Sequence, residues 1–200
     1  MIVTARDAGA DQYLDYIYQD PVHDITDLRP VNRRLQADRD VFFRVEDDRA
    51  IAVLCVAYTR GLPDVIDDVL CSWAEIVPDA YATHAIFYSV FRTDVETQSK
   101  NVGADLVLEA ARMIQEKKPN IKHYTTMSPI PKLSVAFPVK PDPAQVREFV
   151  EGKLDPVARF HIDNGARAFR VISDADTSTK RQGQSWGYMA NYDYTELLLK

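Results

Sequence analysis

Thr83-His84-Ala85-Ile86-Phe87-Tyr88-Ser89-Val90-Phe91-Arg92 is rich in aromatic and β-branched residues and predicts a strand. A loop follows, ending in Gln98-Ser99-Lys100-Asn101-Val102-Gly103-Ala104. Residues 105–118 then give the clearest helix in the chain. Leu106, Leu108, Ala110, Ala111, Met113 and Ile114 supply its apolar face, and Lys117-Lys118-Pro119-Asn120 ends it. Residues 122–127 predict a short strand that delivers Ser128. Strand, glycine-containing loop, helix and strand succeed one another within about 45 residues, and the rest of the chain is read around them.

Upstream, residues 40–46 and 50–59 predict two strands joined by the acidic turn Asp47-Asp48-Arg49. The run Ile51-Ala52-Val53-Leu54-Cys55-Val56-Ala57 is nearly all apolar, which predicts a strand buried on both faces. Helical spacing occurs over residues 11–19, 28–36 and 63–72. Downstream, residues 143–153 predict a helix with Asp142 as its cap, and residues 156–161 a shorter one. Residues 166–173 and 188–194 read as closing strands. The expected fold is α/β (α+β): one central mixed sheet flanked by helices, in a single domain over residues 1–200 with residues 1–38 as a helical lead-in.

Bulk properties narrow the function. The 200 residues carry a formal net charge of −6, which disfavours nucleic acid as a partner because phosphates demand a basic face. No apolar run approaches the roughly 18 residues a membrane span needs. Cys55 and Cys71 have no metal-ligand spacing, so neither a structural metal nor a disulfide framework is expected, and a reducing cytoplasm fits best.

Three segments carry chemistry. The loop from Gln98 to Ala104 precedes a helix N-terminus, where exposed N–H groups and the helix dipole favour an anion. An ordinary strand-to-helix turn is the competing reading. Ser128 is followed by Pro129 and Pro131, which stiffen the turn that presents it; a strand-end serine capping its own backbone is the alternative. His161 precedes Asn164-Gly165, a tight turn into the next strand, and a packed histidine beside Phe160 is the plain reading there. His23, His84 and His123 read as surface or satisfied structural residues, and Lys180 and Arg181 as a solvated basic pair.

Taken together the segments resemble a known family. The loop is similar to the acyl-CoA-binding loop of the GNAT acetyltransferase superfamily, with Gln98 and Gly103 matching and Asn101 in place of the first glycine. Ser128-Pro129-Ile130-Pro131, then Pro156-Val157-Ala158-Arg159-Phe160-His161-Ile162-Asp163-Asn164-Gly165-Ala166, then Ala175-Asp176-Thr177-Ser178, then Gly187-Tyr188-Met189-Ala190-Asn191-Tyr192-Asp193-Tyr194 resemble, in order, the C-terminal catalytic domain of malonyl-CoA decarboxylase. Lys132-Leu133 departs from the glycine and aromatic residue usual after the first motif, and the Ser128–His161 interval is shorter than in the larger enzymes.

The resemblance implies a GNAT-like fold, here as a stand-alone catalytic domain. It implies a carboxy-lyase that converts malonyl-CoA, or a related malonyl thioester, to acetyl-CoA and CO2 through an enolate. Ser128 and His161 would act as a pair with Tyr194 and Asn164 in support, and Gln98, Lys100, Asn101, Val102, Gly103 and Ala104 would hold CoA. No metal and no cofactor beyond the CoA moiety of the substrate is implied. The partner is a small acyl-CoA, with an acyl carrier protein and a homo-oligomer as further options. An acyl-CoA-dependent N-acyltransferase, alone or bifunctional with decarboxylation, and a non-catalytic acyl-CoA or carrier-protein binding module are the alternatives.

Overall fold

The computed structural model describes residues 1–23, 32–71, 75–93 and 101–198. Eight strands form one mixed sheet: β1 (Ile2–Thr4), β2 (Arg39–Glu46), β3 (Arg49–Thr59), β4 (His84–Arg92), β5 (His123–Thr126), β6 (Ser128–Pro129), β7 (Arg167–Ile172) and β8 (Met189–Asp193). Their order is β1-β2-β3-β4-β5-β8-β6, with β7 also paired to β8. Among the described residues the longer α-helices are α1 (Val102–Lys117), α2 (Pro143–Glu151), α3 (Pro156–Asp163) and α4 (Thr179–Ser185).

The early hairpin forms as its sequence predicts. Glu46 faces Arg49 across a two-residue loop, and Asp47 and Asp48 both take left-handed backbone (φ 47° and 59°), the twist that matches flanking strands. Aspartate tolerates this region better than most residues. Within β3, every residue from Ala50 to Tyr58 is buried, because the sheet is covered on both faces. On one face α1 packs Leu106, Ala110, Ala111 and Ile114 against Leu54, Val56 and Phe87. On the other, the 3-10 helix Ala10–Gln19 inserts Tyr13 and Ile17 beside Phe43, Val53 and Met189.

Three elements differ from their expected form. The lead-in is not wholly helical, because Ile2–Thr4 adds an edge strand antiparallel to β2. The helix expected over residues 63–72 shrinks to the single turn Asp67–Leu70, since the Ile66 N–H is taken by the Ala175 carbonyl at 2.8 Å. Residues 28–31 of the helix expected over 28–36 lie outside the described residues; residues 32–34 are helical and 35–36 are not. Strand β6, helix α4 and the turns Leu133–Ala136 and Thr195–Leu198 are too short or too polar to announce themselves by periodicity.

The feature that positions the site is the parting of β4 and β5. They run parallel only from His84↔His123 to Phe87↔Thr126, and the Met127 N–H to Phe87 carbonyl bond (3.2 Å) is the last between them. Beyond it, β4 continues to Arg92 on β3 alone, while the other chain turns away to pair Ser128 with Ala190 of β8. A register shift between Cys55 and Val56 leaves Tyr88 as an extra residue in β4 at this point. The edge of β4 from Tyr88 to Arg92 has no partner strand among the described residues, and a cleft opens there.

Candidate functional site

A cavity of about 430 Å3 fills the cleft. One wall is the open part of β4, from Phe87 to Arg92. Gly103 and Val107 of α1 form a second. Ser128 and Pro129 join Val157, Phe160 and His161 of α3 in the third. Apart from Ser89, Ser128, His161 and Arg92, the side chains that close it are apolar or aromatic.

Two local devices bring the hydroxyl and the imidazole together. Ser128 is fixed by its pairing with Ala190 and by the stiff Pro129 that follows it. His161 sits on the inward face of α3, one turn after buried Ala158. That helix begins at Asp155, whose Oδ1 accepts from the Val157 and Ala158 N–H groups (2.8 and 3.4 Å), with Pro156 at the first helical position. Oδ2 of the same carboxylate accepts from the Lys132 N–H at 2.9 Å. Asp155 therefore ties the start of the histidine helix to the end of the serine turn, and it is fully buried.

Four side chains form one hydrogen-bonded chain. Tyr194 Oη lies 2.8 Å from His161 Nδ1, His161 Nε2 lies 3.1 Å from Ser128 Oγ, and Ser128 Oγ lies 3.0 Å from Thr126 Oγ1. Thr126 is held in turn: its Oγ1 accepts from the Tyr192 N–H (3.1 Å), and its carbonyl accepts from Asn191 Nδ2 (2.6 Å). The Tyr192 ring stacks on the imidazole at 4.5 Å with 25° between planes. A neutral imidazole carries one N–H, so the chain has two proton arrangements. Either Tyr194 donates to Nδ1 and Nε2–H donates to Ser128, or Nδ1–H donates to Tyr194 and Ser128 donates to Nε2. The chain passes from the first to the second when Ser128 gives up a proton at one end and Tyr194 gains one at the other, so it can act as a relay.

Burial sets its charge state. His161 is 3% exposed, and desolvation lowers its pKa to about 3, so the imidazole is neutral at physiological pH rather than poised at the ordinary histidine value of about 6.5. Burial likewise raises Tyr194, so the phenol is protonated at rest. The consequence for stability has a definite sign. Between the unfolded and folded pKa values the unfolded chain binds the extra proton, so this contribution is complete above about pH 6.5 and is lost as pH falls toward 3. The expected cost is about 1.4 kcal/mol per pH unit across that window. Urea unfolding of His161→Gln between pH 6 and 4 should show a shallower loss of stability than the wild type by about that slope.

The remaining expected site residues divide. Tyr194 joins the relay. Asn164 does not: its Nδ2 donates to the Phe160 carbonyl at 2.7 Å, closing the last turn of α3, and it makes no hydrogen bond to Ser128 or His161. Gln98 and Lys100 lie outside the described residues. Asn101 precedes the first turn of α1 without a side-chain cap bond, and Val102 and Ala104 are buried in the core. Of the loop, Gly103 lines the cavity. A Cβ there would meet Val90 and Phe160 at 3.5 and 3.6 Å, so helix and cavity wall come close at this residue. Lys180 and Arg181 are not a solvated pair. Arg181 is buried and donates to the Val22 carbonyl and to Gln184 (2.6 Å), and Lys180 donates to the Pro21 carbonyl (3.0 Å). Both tie α4 to the opening segment. Thr126 and Asp155 escaped the sequence reading. Thr126 could have been found two residues before Ser128 on the same strand course, and Asp155 as the acid before Pro156 that starts a helix.

Comparison with known proteins places this geometry. The family model "Malonyl-CoA decarboxylase C-terminal domain" matches residues 10–151 and 143–198, nearly the whole chain. The chain belongs to this family. Among its relatives is the mitochondrial malonyl-CoA decarboxylase of Rattus norvegicus, 22% identical over 241 residues, covering 86% of this chain and 49% of that protein. Among solved structures, the malonyl-CoA decarboxylase of Agrobacterium vitis superposes with a TM-score of 0.83 at 26% identity, covering 97% of this chain and 60% of that one. A GNAT-like decarboxylase, GphF, in complex with isobutyryl-CoA, superposes with a TM-score of 0.65 at 16% identity, covering 96% of this chain and 97% of that one, a likeness of fold. The chain spans about half the length of the mammalian decarboxylase it matches. The fold is thus the mixed α/β, GNAT-like sheet expected from the sequence. Within the described residues no helix is long and apolar enough to cross a membrane.

Proposed function

We propose that this site decarboxylates malonyl-CoA, or a close malonyl thioester, to acetyl-CoA and CO2. The observation that carries the reading is the Tyr194–His161–Ser128–Thr126 relay opening onto an apolar cleft in a chain of the malonyl-CoA decarboxylase family. The reaction breaks the bond between C2 and the carboxyl carbon. Its electron pair moves into the thioester enolate, CO2 leaves, and C2 takes a proton. An apolar cavity favours this step because a carboxylate loses solvation there while the charge of the enolate is more diffuse.

In this reading Ser128 orients the malonyl carboxylate against C2, with neutral His161 behind it. After CO2 departs, C2 takes a proton from His161 Nε2–H, by way of Ser128 or directly, Nδ1 takes the Tyr194 proton, and the phenolate so formed recovers a proton from water as product leaves the cleft. Being neutral, His161 gives up one ring proton as it gains the other, so no imidazolium has to form in a buried site. The developing enolate oxygen faces the open edge of β4, which has no partner strand among the described residues. Preorganised donors to such an oxygen are worth about 3 kcal/mol each. The CoA chain enters past Gly103, with its phosphates toward the N-terminus of α1.

A carrier-protein thioester presents the same acyl chemistry, and comparing rates on the two carriers decides between them. The chain's two cysteines, Cys55 and Cys71, without metal-ligand spacing, fit a reducing cytoplasm. Assembly into a homo-oligomer is a further expectation, read by light scattering. The test of the reaction itself is turnover of malonyl-CoA by wild type and Ser128→Ala, with and without an amine acceptor. The expected result is CO2 and acetyl-CoA independent of amine, lowered about 100-fold or more in the variant. Acetylated amine in place of free acetyl-CoA would make the protein an acyltransferase, and CoA binding without turnover would make it a binding module.

A further inference from the structure

Among the described residues, nine buried side-chain polar atoms have no hydrogen-bond partner, and Ser89 Oγ is the one whose residue also lines the cavity. Ser89 is 3% exposed, so solvent does not supply the missing bond, and a buried hydroxyl without a partner is a costly arrangement that native folds rarely keep for packing alone. Its place in the fold is equally specific. Ser89 lies just past Phe87, the last residue of β4 in register with β5, and Ser128 lies just past Thr126 on the other side, where the strands have parted. Both serines line the cleft on walls that this parting separates, Ser128 bonded to His161 and Ser89 Oγ without a partner. Ser89 also follows Tyr88, the extra residue of the bulge, and bulges commonly re-aim a side chain beside a site.

We infer that Ser89 is a further substrate-binding residue of this site, whose hydroxyl donates to the thioester carbonyl oxygen of the bound acyl group. The inference rests on the decarboxylase reading for its catalytic consequence. In a malonyl thioester, C2 lies between the carboxylate and the carbonyl. With the carboxylate and C2 at the Ser128–His161 wall, the carbonyl oxygen faces the β4 wall, where Ser89 stands. Rotation about χ1, between staggered wells, moves Oγ from the packed position into the cleft when an acceptor arrives. The donor then strengthens as the oxygen becomes an enolate.

Ser89→Ala tests this with three readouts: thermal unfolding, kcat for CO2 release from malonyl-CoA, and the ratio of affinities for acetyl-CoA and CoA by calorimetry. The expected result is a kcat lowered about 100-fold, the loss typical of one oxyanion donor. The Tm should be unchanged or raised, because the lost hydroxyl had no partner, and preference for acetyl-CoA over CoA should fall while CoA affinity holds. A lowered Tm with kcat and the affinity ratio unchanged would make Ser89 a packing residue and overturn the inference. If the wild type releases no CO2 yet Ser89→Ala loses its preference for acetyl-CoA, the decarboxylase reading fails and the acyl-binding role stands. If the wild type releases CO2 and Ser89→Ala matches it, the reading stands and this inference fails.

Discussion

Replacing His161 with alanine is expected to lower kcat for CO2 release from malonyl-CoA by about 100-fold or more, the usual worth of a positioned acid–base group, with CoA affinity retained. The size of the effect follows from what the imidazole joins. It links Tyr194 at 2.8 Å to Ser128 at 3.1 Å, and the described residues offer no second route between that phenol and the serine hydroxyl. Alanine cuts the relay, leaves Tyr194 Oη buried without this partner, and opens a void against Tyr192. A stability loss will accompany the kinetic one, so kcat has to be measured on protein shown to be folded. Retained CoA affinity is the control that separates a broken relay from a collapsed cleft, since Gly103 and the β4 edge are untouched. The pH profile adds a second signature. Because burial holds His161 near pKa 3, kcat/KM of the wild type should show no fall centred at the ordinary histidine value of about 6.5.

Asp155→Ala is expected to destabilise the fold by about 2–4 kcal/mol, read as a shift in the urea midpoint. One carboxylate accepts three backbone N–H groups, two at the start of α3 and one from Lys132. Losing a helix cap costs about 1 kcal/mol, and a buried N–H left unpaired about 1–3. Activity should fall as well, because the same bonds set His161 against Ser128, two side chains that reach the cleft from elements 33 residues apart in sequence. Asp155→Asn sharpens the test. Burial raises the carboxyl pKa, so ionisation of this group is opposed by its surroundings and an uncharged side chain is not penalised for lacking charge. Its carbonyl oxygen can still cap α3, while its amide cannot accept from Lys132. Asparagine should therefore recover most of the helix stability and only part of the rate. Equal recovery of both would assign Asp155 to capping alone.

The two variants also mark how much of this site could be read from the residues. Ser128, His161 and Tyr194 are legible because each lies in a motif whose order along the chain is itself the signal. The sheet was legible for similar reasons: Ile51–Ala57 can only be a strand covered on both faces, and the helix face of residues 105–118 is unambiguous. Asn164 stands apart from the hydrogen-bonded chain: it follows His161 by three residues in the same motif, yet its amide closes a helix end. Lys180 and Arg181 misled: polar spacing suggested a wet surface, and tertiary contacts to Pro21 and Val22 buried the arginine. Thr126, Asp155 and Ser89 act through what they touch or fail to touch, and no periodicity encodes that. The parting of β4 from β5 is of the same kind. It depends on where pairing stops, which is set by the competing partner β8 and not by either strand's own residues.

In the proposed reaction the Ser128–His161 pair opens onto the malonyl group and delivers the proton that ends it. Carbon NMR of uniformly 13C-malonyl-CoA with the protein in D2O tests it most directly. The predicted result is labelled CO2 and acetyl-CoA carrying a single deuteron on its methyl group, with both signals lost in His161→Ala. Label that stays in malonyl-CoA while the wild type binds acetyl-CoA, or a His161→Ala protein that releases CO2 as fast as the wild type, would contradict it.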